Sequence, residues 1–135
     1  MHPARHISIS IDRPLSEIYR FASNPENLPK WAAGLSGVSV VKAGDEWICD
    51  SPMGRVKVKF AKENPFGVMD HDVTLPSGEV NHNPFRVLSN AGGGEVVFTL
   101  YRLPRMSDED FDHDASLIQK DLEILKRLLE NRSHR

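Results

Sequence analysis

The chain has 135 residues, 39% hydrophobic and 27% charged, with a formal net charge of −2. This predicts one domain over residues 1–135. No apolar run approaches the roughly 20 residues of a membrane-spanning helix, and scattered Lys and Arg give no face for phosphates, so neither a membrane nor nucleic acid is an expected partner. Residues 1–5 lack the apolar segment of a secretory signal. Cys49 is the only cysteine, leaving no internal disulfide and no cysteine-paired zinc site, and the expected location is cytoplasmic.

Arg5 to Asp12 alternates, with Ile7, Ile9 and Ile11 on one face and His6, Ser8 and Ser10 on the other, the period of a half-buried strand. Pro14 suits a first helical turn, and Ile18, Phe21 and Ala22 follow at helical spacing until Ser23-Asn24-Pro25. Pro25 and Pro29 frame a second short helix ending at Trp31, before Gly34 and Gly37 break the pattern.

From Val38 to Arg102, turn signals recur at Gly44, Pro52 to Gly54, Asn64 to Gly67, Pro76 to Gly78 and Ala91 to Gly94. The connections are too short for parallel crossovers. Six strands here and one at the start make a seven-stranded antiparallel sheet. Ser107 to Asn131 then reads as one long helix, with Ser107 and Asp110 placed as a capping box and Asp108-Glu109-Asp110 favoured by the helix dipole. Phe111, Ala115, Ile118, Leu122, Leu125 and Leu129 form its stripe toward the sheet. Leu117, Ile124 and Leu128 form a second strip, covered by a wrapping sheet or by a partner chain, which makes a homodimer the alternative. A single helix gripped by a curved sheet leaves room for an internal cavity.

The more apolar parity of each strand is expected to face that space. It comprises Val56, Val58 and Phe60; Met69, His71, Val73 and Leu75; Asn81, Asn83, Phe85 and Val87; and Val96, Phe98 and Leu100. A three-residue loop at Pro76-Ser77-Gly78 would set His71 opposite Asn83, a pair able to orient a ligand carbonyl or hydroxyl. A loop one residue longer or shorter would bring His71 to a residue such as His82 and suggest a two-histidine metal site. A core histidine satisfied by its neighbours is the plain structural alternative. Trp31, ahead of the glycine-rich entry to the sheet, either closes the cavity mouth or simply packs its short helix. Trp47 is the other large apolar surface. The ligand-binding set expected from sequence is therefore Trp31, Trp47, Phe60, Met69, His71, Asn83, Phe85, Phe98, Phe111, Ile118 and Leu122.

No nucleophile elbow, zinc-binding helix pair, phosphate loop or dinucleotide fingerprint occurs, so no cofactor and no metal is expected. Asp70 and Asp72 flank His71, but adjacent strand residues point to opposite faces. Any chemistry would use His71 as acid or base inside an apolar cavity, where burial lowers its pKa.

Ile7-Ser8-Ile9-Ser10-Ile11-Asp12-Arg13-Pro14 with Ile18-Tyr19-Arg20-Phe21, and then Asn24 to Trp31, resembles the start of the polyketide cyclase-like branch of the START-related, helix-grip superfamily (SRPBCC). Gly94 to Leu100 followed by Met106-Ser107-Asp108 and the long helix is similar to the end of the same branch. The resemblance implies an α+β helix-grip fold, a seven-stranded antiparallel sheet wrapped around a long C-terminal helix with two short helices after the first strand. It also implies a cavity; members of the superfamily include aromatic polyketide cyclases, lipid and hormone binders, quinone-binding proteins and chaperone activators. Binding of a small lipid-, polyketide- or aromatic-like molecule is the leading expectation. The alternatives are a cyclase or dehydratase using His71, and a protein-interaction module.

Overall fold

The computed structural model describes residues 1–52 and 54–131; Met53, within the expected turn at Pro52 to Gly54, lies outside them. Strand β1 (Ala4–Ile11) leads into helix α1 (Leu15–Ala22) and a short helix α2 (Leu28–Trp31), flanked by single 3₁₀ turns. Strands β2 (Val40–Ala43), β3 (Glu46–Ser51), β4 (Gly54–Phe60), β5 (His71–Thr74), β6 (Val80–Asn83), β7 (Phe85–Asn90) and β8 (Gly93–Tyr101) follow, and α3 (Asp108–Asn131) completes the described chain.

All pairings are antiparallel, in the orders β2-β3-β4-β5-β6 and β1-β8-β7. The segment read from sequence as one strand near residues 80–88 is two strands, because Pro84 has no N–H to continue a ladder. Below the proline β6 pairs with β5, and beyond it β7 pairs with β8. The sheets remain stitched there: Met69 N–H donates to the Phe85 carbonyl at 2.7 Å, Val87 N–H to that of Gly67 at 3.0 Å, and Thr99 N–H to that of Pro84 at 2.9 Å. Gly67 sits at φ +73°, and a Cβ there would stand 2.3 Å from the Val87 carbonyl oxygen, so only glycine permits this close approach.

Parity decides the inner face as expected. Val56, Val58, Met69, Phe85, Val87 and Val96 are buried, while Arg55, Lys57 and Lys59 are exposed. Leu88 and Val80, of the opposite parity, lie outside at 52% and 56% exposure.

Helix α3 crosses the inner face. Ser107 N–H donates to Asp110 Oδ2 at 3.2 Å and Asp110 N–H donates to Ser107 Oγ at 3.0 Å, so the expected capping box starts the helix. Its start is fixed to β1 by the Arg5–Asp112 ion pair and by the Arg5 guanidinium 4.6 Å above the Phe111 ring. Its far end is held by Lys126 Nζ donating to the Ser10 carbonyl at 2.6 Å and by Asp12 N–H donating to Glu130 at 2.9 Å. Phe111, Ala115, Leu122, Leu125 and Leu129 are buried along the inward stripe. Of the second strip, Ile124 and Leu128 pack against the core while Leu117 is 42% exposed. Ala33 N–H, just after α2, donates to Asp121 at 3.1 Å and helps cover this flank.

Candidate ligand cavity

Before Pro84 the chain, as β6, pairs with β5 and not with β8, and the space between β6 and β8 is bordered by the 102–107 loop and the first turns of α3. A cavity of about 570 Å³ lies there. Its apolar wall includes Val73 from β5, Phe98 and Leu100 from β8, Leu103 and Met106 from the loop, and Leu117 and Ile118 from α3. Polar residues share the wall: Asn81 and Asn83 on the inner face of β6, Asp114 on α3, and His2, His82 and Arg105 among the remaining lining residues. Apolar walls with polar groups set among them can hold and orient a small molecule.

The loop at residues 76–78 gives the register His71↔Asn83. His71 is 9% exposed. Its ring stacks on Phe60 at 4.7 Å and meets Phe85 and Phe98 edge-on at 5.8 and 6.0 Å. Nδ1 lies 3.1 Å from the Met69 carbonyl oxygen, which can only accept, so Nδ1 carries the proton. Nε2 then accepts a long, 3.5 Å hydrogen bond from Asn83 Nδ2. Burial is the main cause holding the His71 pKa below its ordinary value, with the Met69 carbonyl opposing it. The histidine is neutral, and its link to the cavity runs through Asn83.

The neighbouring charges face the other way. Asp70 forms an ion pair with Arg86 and accepts from Phe85 N–H at 2.8 Å; the hydrogen bond from Arg86 is the first cause lowering its pKa. Asp72 is hydrogen-bonded to His82 Nδ1 at 2.6 Å. His82 is thereby placed on the opposite face of β6 from Asn83, and the two-histidine alternative does not form. Among the described residues, no group of three His, Cys, Asp or Glu side chains could hold a metal.

Of the residues expected from sequence, Asn83, Phe98 and Ile118 meet in the cavity wall. Phe60 and His71 stand behind Asn83 and Phe98. Met69, Phe85 and Leu122 are fully buried core residues. Trp31 is buried against Phe85, with ring centroids 5.8 Å apart, and its Nε1 has no hydrogen-bond partner among the described residues. Trp47 is half-buried opposite Val58, and Phe111 is buried beneath Arg5. Asn81, Leu100, Leu103, Met106 and Asp114 also line the wall without having been singled out as ligand-binding residues. The readable signal for them was Pro84, which ends the β6 ladder beside this space.

Several solved structures superpose on the chain over most of its length. The Aha1 dimer from Colwellia psychrerythraea is 19% identical, with a TM-score of 0.74 over 95% of this chain and 96% of that one. Ara h 8.0201 is 11% identical, with a TM-score of 0.71 over 96% and 98%. DynU16, from the dynemicin biosynthetic locus, is 12% identical, with a TM-score of 0.71 over 94% of this chain and 47% of that one. The chain has the helix-grip fold. This is the fold implied by the sequence resemblance, with its long C-terminal helix against antiparallel strands. No family model and no curated relative matches the chain by sequence. Among the described residues, no helix is long and apolar enough to cross a membrane.

Proposed function

We propose that this chain works as a single cytoplasmic domain that binds a small, largely apolar molecule between β6, β8 and the first half of α3. The observation that carries this reading is the cavity of about 570 Å³ with Val73, Phe98, Leu100, Leu103, Met106 and Ile118 in its wall. Apolar surface facing such a space gains when a ligand displaces water, by about 25 cal/mol per Å² buried. The helix-grip scaffold is compatible with this role, but fold alone does not select a ligand. Native mass spectrometry of gently purified protein, compared with its denatured mass, tests the reading. A small molecule retained in the native state and released on denaturation is expected. Protein that stays empty and also fails to retain added apolar compounds contradicts it.

The second reading is a cyclase or dehydratase in which Asn83 Nδ2 leaves His71 Nε2, at a long 3.5 Å, and that unprotonated nitrogen takes a proton from the substrate directly. H71A separates the two readings: a binder keeps its ligand, whereas an acid–base enzyme loses turnover.

A further inference from the structure

The cavity wall presents several side-chain acceptors that make no hydrogen bond among the described residues. Asn83 gives its Nδ2 to His71, which turns its Oδ1 away from that ring. Asn81 Oδ1 is enclosed and has no partner among the described residues. Asp114, half-buried on the second turn of α3, makes no hydrogen bond or ion pair among the described residues. Arg105 is the lining guanidinium, and it is committed to Glu79, with its Nε at 3.0 Å and its Nη2 at 2.5 Å from Oε1. Glu79 is the leading cause holding Arg105 in its charged form, and Asp114 and Asp110 reinforce it. Nearby, Arg102 pairs with Asp108 and Arg5 with Asp112. The arginines at this end thus make their direct bonds with other carboxylates, and Asp114 acts on Arg105 only through space, keeping its own oxygens available on the wall.

We propose that this cavity selects apolar molecules bearing a protonated amine, which pairs with Asp114, over molecules of the same shape bearing an acid. The proposal rests on the reading of the cavity as an apolar-ligand site and adds the ligand's charge. An ammonium group supplies the donors that Asp114 and Asn83 Oδ1 lack. Phe98 and Tyr101 add aromatic rings to the same wall, a side-chain type that attracts cations. A carboxylate would meet Asp114 as a like charge, and would find Arg105 already paired through Nε and Nη2 with Glu79.

Three probes sharing one apolar body test this: naphthylethylamine, naphthylethanol and naphthylacetic acid, titrated into the full chain by calorimetry at neutral pH. The amine should bind about tenfold tighter than the alcohol and the acid weakest, since one partly screened ion pair corresponds to roughly that factor. D114N should bring the amine to the alcohol's affinity, so that the ratio between the two falls to about one. Raising the salt concentration on the unmodified protein should weaken the amine, leave the alcohol unchanged and, by screening the like charge, tighten the acid, which tests the same point without a variant. An acid that binds as tightly as the amine, or an amine preference that survives D114N, overturns the proposal while leaving the cavity reading intact. Failure of all three probes to bind overturns both.

Discussion

Phe85 and Phe98 face each other across β7 and β8, with ring centroids 5.6 Å apart, yet one is fully buried and the other lines a cavity. On the Phe85 side, Trp31, His71 and Met69 fill the space that the fold leaves between sheet and helix. On the Phe98 side, Pro84 has ended the ladder, β6 swings from β8, and Asn81 and Asn83 replace large side chains on the inner face. The same sheet therefore builds a packed core at one end and a cavity at the other. What separates them is a missing backbone N–H and two short polar side chains.

The comparison breaks most visibly under truncation. F85A should cost about 3–5 kcal/mol, since the packed surroundings can collapse only partly. F98A should cost distinctly less, about 1–2 kcal/mol, because its ring already borders open space. Urea denaturation measures both, and equal losses would mean that the two sides are packed alike.

His71 sharpens the comparison through pH. Its folded pKa is lowered by burial from an ordinary value of about 6.5, so the unfolded chain binds the proton more readily. Its contribution is fully present above about pH 6.5 and is lost as pH falls through that value toward the folded pKa. Stability measured across this window should fall less steeply with acid in H71L than in the unmodified protein. Identical slopes would show that His71 is not held neutral by burial.

Smaller effects belong to the helix start and the cavity wall. S107A removes half of the capping box and should cost about 1 kcal/mol, read as a lowered midpoint of thermal unfolding. I118W should change stability least, because the indole enters existing space, while weakening apolar ligands more than tenfold in a calorimetric titration. A large loss of stability in I118W would mean that the space is not there to be filled.

Much of this arrangement was legible in the residues. Alternation placed Val56, Val58 and Phe85 inward, the loop at residues 76–78 fixed His71 opposite Asn83, and Ser107 with Asp110 marked the start of α3. These are local signals, decided by strand period, turn length and capping chemistry. Parity assigns a face but not a depth. It could not say that His71 would be enclosed by Phe60, Phe85 and Met69 while Asn83, directly opposite, reached the cavity. Leu103, Met106 and Asp114 enter the wall only because β6 and β8 part, a long-range consequence that no window around those residues contains. Trp31 shows the same limit, its short helix being readable but its contact with Phe85 not.

The most direct test of the cavity is a titration with the neutral fluorophore N-phenyl-1-naphthylamine, run in parallel on the unmodified protein and I118W. Saturable binding of one molecule per chain, displaced by apolar competitors and lost in I118W, is the expected result. Binding that I118W leaves unchanged, or no saturable binding at all, would contradict the placement of the ligand between β6, β8 and α3.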